Sequence, residues 1–182
     1  IFFSIIVYVR KKSESFYRKK PYKKNLFILG FVFGFGFFLS GIFWISYSLT
    51  FDDSFKYLIP FAIMFIPLFL SIFTGLTILF VGQHLSYNIS SILLFSGSLA
   101  LCDYIRGKIL SGFPWNLWGY SWSWFTEILQ ILSHVGLFAF NLLAITFFTL
   151  PAIIFFKGTT SKKILATIII LSIIFILIKR LR

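Results

Sequence analysis

YLIPFAIMFIPLFLSIFTGLTILFV, residues 57–81, contains no charged side chain and shows no alternation of apolar with polar positions. Strands of a membrane barrel alternate apolar and polar residues over about 10 positions. A spanning helix instead needs about 20 mostly apolar residues, at about 1.5 Å of rise each, to cross a hydrocarbon core about 30 Å thick. The stretch therefore reads as a membrane-spanning helix, with Pro60 and Pro67 inside it.

Similar runs flank it. Asn25–Leu49 reads as an earlier span and Ile89–Ile105 as a later one. Phe125–Phe156 is longer than a crossing requires and is expected to tilt or break near Pro151. Ile164–Ile178 is a final, slightly short run whose flanking lysines can snorkel. Ile1–Val9 has the length of the tail of a helix whose start lies upstream. The expected fold is all-α: a polytopic transmembrane helix bundle with about five complete spans and a truncated first one. Residues 1–24 form the end of that first helix and a basic loop, and 25–178 the helical domain. Residues 179–182 are expected to begin a link to a further domain.

Composition leads to the same class. The chain is 59% hydrophobic, only 12% charged, and has a mean hydropathy of +0.95. A soluble domain is about half apolar and about a quarter charged, so this chain could not cover its own surface in water. The net charge of +12 is concentrated, because eight of the 17 Lys and Arg lie between Arg10 and Lys24. A nucleic-acid binder would carry such charge on the face of a soluble fold. Here it sits between apolar runs, as a topology signal and an anionic-lipid contact, so no nucleic acid is expected. By parity, Arg10–Lys24, Gly82–Asn88 and Lys157–Lys163 share one side, which the basic residues place in the cytoplasm. Asp52, Asp53 and a Trp-rich connection, Arg106–Trp124, then face the other side.

That connection is the most unusual segment. Trp115, Trp118, Trp122 and Trp124 fall within ten residues, beside Gly112, Pro114 and Gly119. Trp and Tyr favour the headgroup level, where the ring is buried and its polar tip stays wet. The segment is either an aromatic belt or a shaped re-entrant turn at the outer leaflet. Belt residues are usually scattered at helix ends, so this density favours the turn.

Asp103 and Arg106 stand three apart at the end of the third span and can pair on one face. They form either an interfacial ion pair or a polar contact to a lipid headgroup or a neighbouring domain. Gly30, Gly34 and Gly41 lie on nearly one helix face, which reads as a helix-packing stripe. Cys102, in an apolar run without a neighbouring His or Lys, reads as an inert small hydrophobe. His84 and His134 are isolated and form no metal-ligand spacing, and Glu127 needs only a helix dipole to explain it. No catalytic set, cofactor motif or metal site is expected within these residues.

The run Tyr104-Ile105-Arg106-Gly107, then Gly112-Phe113-Pro114-Trp115, then Gly119-Tyr120-Ser121, resembles the R-G, G-F-P-W and G-Y-S pattern of the apolipoprotein N-acyltransferases. Ile131–Leu143, with Gly136 and Asn141, and the stretch from Gly34-Phe35-Gly36 to Gly41-Ile42-Phe43-Trp44-Ile45 are also similar to that family. The sequence departs from the pattern at Trp122, where Gln is common, and at Asp103, where Glu is common. The resemblance implies a multi-pass enzyme of the bacterial inner membrane. Its partners are a phospholipid acyl donor, an apolipoprotein acceptor and membrane lipids. It implies a periplasmic nitrilase-like domain whose glutamate, lysine and cysteine perform ping-pong acyl transfer to a diacylglyceryl-cysteine amine. None of those three maps onto this sequence. It makes Arg106, Gly107, Gly112, Phe113, Pro114, Trp115, Gly119, Tyr120 and Ser121 candidate contacts to lipid, substrate or that domain. The competing reading is a stand-alone helical membrane protein that binds or transports a lipid or small solute.

Overall fold

The computed structural model describes residues 1–16, 22–109, 114, 116–156, 162–163, 167 and 169–170. The described residues form helices and turns, with no strand among them. Helix α1 is Phe2–Phe16, α2 is Tyr22–Ile42, α3 is Ile59–Val81 and α4 is Ile89–Ile109. Two short helices, α5 (Thr126–Leu129) and α6 (Ile131–Val135), precede α7, Leu137–Thr149. Among the described residues, four helical stretches are long and apolar enough to cross a membrane: Lys23–Thr50, Asp53–His84, Ile89–Ile109 and Leu137–Phe155. The chain is an all-α, multi-pass membrane protein. The expected last span, Ile164–Ile178, lies for the most part outside the described residues.

Packing follows from side-chain size. A Cβ on Gly30 would stand 2.7 Å from the Ile78 Cβ, and one on Gly34 2.9 Å from the Thr74 Cβ. The missing methyls let α2 lie against α3 at backbone distance. Ile6, Val7, Leu26, Ile78, Leu85, Ile92 and Ile145 form the main core, shared by α1, α2, α3, α4 and α7. Outward faces keep large apolar residues in the open, such as Phe61 and Phe65 at 60% and 66% exposure. Lipid covers such faces, and the helices satisfy their own backbone groups.

Helix ends depart from expectation in four places. The basic segment Arg10–Lys24 is largely not a loop, since α1 continues to Phe16 and α2 begins at Tyr22. Arg and Lys are good helix formers, so the helix runs past the hydrocarbon edge. Helix α4 likewise runs to Ile109, so Arg106 and Gly107 belong to a helix rather than to the connection after it. The first complete span changes to a 3₁₀ helix over Phe43–Thr50. There the hydroxyls of Ser46, Ser48 and Thr50 each donate 2.7 Å bonds to the carbonyl three residues earlier, competing with α-helical geometry.

The segment breaks as expected near Pro151, where α7 ends at Thr149, and breaks a second time at Gly136, whose φ of +77° and ψ of 167° separate α6 from α7. Pro151 sits in the first turn of a 3₁₀ stretch, Leu150–Phe155, which replaces the α-helix where a proline has no N–H to continue it. The crossing tightens there and continues.

Two ends of the bundle can be told apart. At one, Arg10 Nη1 donates to the Leu85 carbonyl at 2.5 Å. There Tyr87 Oη donates to the Ser4 carbonyl at 3.2 Å, and its ring lies 6.1 Å from that of Phe156. The stretch of α1 from Ser4 to Arg10, the α3–α4 turn and the end of the last described crossing thus meet. The tryptophan-rich connection is at the other end, against the C-terminal half of α2.

Candidate functional site

The site is built from an ion pair that ends α4. Asp103 and Arg106 are one helical turn apart, and Arg106 Nη2 donates to Asp103 Oδ1 at 2.9 Å. Both are buried, Arg106 to 1% exposure. The guanidinium carbon lies 4.8 Å from the centroid of the Phe38 ring, so α2 covers its flat face. The second carboxylate oxygen of Asp103 accepts from Asn141 Nδ2 on α7 at 2.9 Å. Asn141 Oδ1 in turn accepts from the backbone N–H of Gly119 at 3.1 Å. Two helices and the tryptophan-rich connection are therefore joined by one polar chain, Arg106–Asp103–Asn141–Gly119.

Every link has a steric condition. A Cβ on Gly119 would stand 3.0 Å from Phe140 Cδ1, and one on Gly107 3.2 Å from Phe138 Cζ. Small residues at both places let the connection and α7 close on α4. A second attachment comes from α2. Asn116 adopts φ of +43°, a left-handed conformation that Asn tolerates. Its Nδ2 donates to the Phe37 carbonyl at 3.0 Å. Gly41 makes room for it, since a Cβ there would overlap the Asn116 amide. Gly41 thus faces the connection, while Gly30 and Gly34 face α3.

Aromatic rings fill the remaining space. Trp118 stacks on Phe37 at 4.5 Å and on Phe33 at 5.9 Å. Trp122 stacks on Phe148 at 5.8 Å. A small cleft lined by Phe37, Phe38, Trp118, Cys102 and Asp103 opens beside the ion pair, with room for about one water molecule at about 10 Å³.

Tyr120 Oη donates to the Pro114 carbonyl at 3.2 Å. Burial pushes the Tyr120 phenol above its ordinary value, while the Arg106 charge opposes this. The phenol therefore stays a donor across the physiological range. Ser121 is exposed. Gly112, Phe113 and Trp115 lie outside the described residues. Arg106, Gly107, Pro114, Gly119 and Tyr120 come together around the polar chain. Among the described residues, Arg106 Nε and Nη1 have no hydrogen-bond partner, so the guanidinium keeps donor capacity. Asn141, Asn116 and Phe38 were not among the candidates. Asn141 had a signal, as a lone amide in the apolar run 137–148.

Comparison with known proteins adds the context for this arrangement. Residues 13–150 match the family described as the apolipoprotein N-acyltransferase N-terminal domain. The chain is 36% identical over 137 residues, 74% of its length, to the apolipoprotein N-acyltransferase of Rhodopseudomonas palustris, and covers 25% of that protein. It is 33% identical over 166 residues, 90% of its length, to the one from Rickettsia typhi, and covers 32% of it. The one from Brucella melitensis is 35% identical over 127 residues, 69% of this chain and 24% of that protein. The chain therefore spans about a quarter to a third of the length of these relatives. No solved structure matches. The matched stretch contains α2, α3, α4, the tryptophan-rich connection and the whole polar chain, so the protein belongs to the apolipoprotein N-acyltransferase family through its N-terminal membrane domain.

Proposed function

We propose that this chain is the membrane portion of an enzyme of the bacterial inner membrane that completes lipoprotein maturation. The enzyme would transfer an acyl chain from a phospholipid to the N-terminal diacylglyceryl-cysteine of apolipoproteins. The reading is supported by the family match and carried by one observation. The tryptophan-rich connection is fixed from two directions, by Gly119 to Asn141 and by Asn116 to Phe37, at a membrane end. A turn that only floated its rings among lipid headgroups would need neither attachment.

In this reading the basic end, with Arg10–Lys12 and Lys23–Lys24, faces the cytoplasm, and the tryptophan-rich end faces the periplasm. The helices hold lipid chains, and the connection guides the donor towards a nitrilase-like domain that supplies glutamate, lysine and cysteine. Covalent catalysis then belongs to that domain. Cys102, on α4 beside the ion pair, is no nucleophile in this scheme.

The test is acyl transfer from a defined phospholipid to a diacylglyceryl-cysteine peptide, followed by mass spectrometry. The 182-residue chain alone is expected to give no product. In the full-length protein, Trp115→Ala should lower the rate more than Trp44→Ala. Equal, near-normal rates for both would remove the special status of the connection. Retention of lipid without any transfer by the full-length protein would point to a lipid-binding protein instead.

A further inference from the structure

A different feature lies at the opposite end of the bundle. Ile6 of α1 and Leu26 of α2 both approach Gly82, each about 3.2 Å from where its Cβ would be. One turn further out, α1 carries Arg10, Lys11 and Lys12, and α2 begins with Lys23 and Lys24. The ammonium groups therefore stand about one helical turn, some 5 Å, beyond fully buried apolar residues. Lys23 also begins the stretch long and apolar enough to cross a membrane, and charges at the edge of such a stretch suit the phosphate level of a leaflet.

Local electrostatics make the cluster unfavourable on its own. The first turn of α2 has no acidic residue, so Lys23 and Lys24 meet the positive end of a helix dipole. Helix α4 starts at the same end, with Asn88 Oδ1 accepting from the Ser91 N–H at 2.7 Å. Lys11 Nζ lies 4.6 Å from the centroid of Tyr87, in the turn before α4. Carboxylates are scarce nearby. Between Arg10 and Lys24 the sequence holds eight cations and one acid, Glu14. Asp53 pairs with Lys56 at the far turn, and Asp103 with Arg106. Lys11 and Lys12 of α1 and Lys23 and Lys24 of α2 thus lie at the same end of the bundle as the N-termini of α2 and α4.

We propose that this end is a binding surface for anionic phospholipid, with Lys11, Lys12, Lys23 and Lys24 gripping the headgroup phosphate and Tyr87 packing beside it. The proposal is independent of acyl transfer. A lipid is the fitting partner because the cations stand at phosphate height and the apolar faces below them accept its chains. A cytosolic acidic protein or nucleic acid would need the charges to project clear of the membrane.

The full chain is purified in mild detergent and exposed to phosphatidylglycerol, phosphatidylcholine or inorganic phosphate, and bound molecules are counted by native mass spectrometry. Phosphatidylglycerol should be retained and phosphatidylcholine lost, with inorganic phosphate failing to compete. The fourfold variant Lys11→Gln, Lys12→Gln, Lys23→Gln, Lys24→Gln should bind phosphatidylglycerol about tenfold less or weaker still. The variant Lys56→Gln, Lys108→Gln should bind it normally. Should the fourfold variant fail to fold, the unchanged chain gives the same answer, because retention must fall as salt rises from about 0.15 M to about 1 M. Equal retention of both lipids, full competition by inorganic phosphate, or retention indifferent to the four lysines and to salt would each overturn the proposal.

Discussion

Removing one charge from the Asp103–Arg106 pair should be worse than removing both. In Arg106→Gln, Asp103 keeps its 2.9 Å bond from Asn141 but loses its counter-charge while 8% exposed. In Asp103→Asn, Arg106 keeps a full charge at 1% exposure and loses its carboxylate partner. Leaving one member of a buried pair alone costs about 3–5 kcal/mol. The double variant holds no buried charge, and two amides in place of the pair can still hydrogen-bond. It should cost no more than either single change. Thermal unfolding in detergent, followed by circular dichroism, reads this directly. For a chain of this size about 1 kcal/mol shifts the midpoint by roughly 2–4 °C, so each single variant should fall by roughly 6–20 °C. The double variant should recover a good part of that. A double variant that loses the sum of the two single effects would mean that the charges do not couple, and the polar chain would lose its basis.

Two further outcomes follow from glycine positions. Gly30→Ala should destabilise by about 1–3 kcal/mol, because the new methyl would stand 2.9 Å from the Thr74 carbonyl, whereas Gly36→Ala meets nothing within 4 Å and should be neutral or mildly stabilising. The same melts check both, and equal losses would show that α2 does not approach α3 through Gly30. Gly136→Ala should cost about 1–3 kcal/mol through backbone strain alone, since φ of +77° with ψ of 167° suits only glycine and no atom lies within 4 Å of the added methyl. Hydrogen exchange should show the loss at residues 131–140, and an unchanged midpoint would refute the strain.

The crossings were legible because apolar length is a direct physical requirement of the bilayer. Residues 57–81 admit one reading, and α3 is found at Ile59–Val81. Their ends were not legible, since hydropathy marks where the membrane stops and not where the helix stops. Arg10 to Phe16 stays helical after the apolar pattern has ended, and Arg106 to Ile109 does so with Arg106 and Gly107 packed into the bundle. The change from α to 3₁₀ geometry beside Pro151 was legible because a proline has no N–H to continue the helix, whereas the Gly136 break was hidden behind that louder signal. At the site, the i, i+3 spacing of Asp103 and Arg106 foretold their pairing. The spacing of 38 residues between Asp103 and Asn141 foretold nothing, because contact between α4 and α7 is a tertiary fact.

Keeping a buried ion pair is rarely the cheapest way to stabilise a bundle, because apolar residues of like volume often do as well or better. Here the pair has a geometric task that apolar residues could not perform. Asp103 aims both oxygens, one at Arg106 and one at Asn141, which leaves the Asn141 carbonyl to take the Gly119 N–H. A leucine at 141 would pack as well but leave that backbone donor unpaired where it is buried, at a cost of about 1–3 kcal/mol. Phe37 of α2 holds the same connection through its carbonyl, which accepts from Asn116. Two attachments to different helices remove rotation as well as translation, so Trp118 and Trp122 are held in one orientation against Phe37 and Phe148. The polar chain is thus better understood as a means of orienting the connection than as a source of stability.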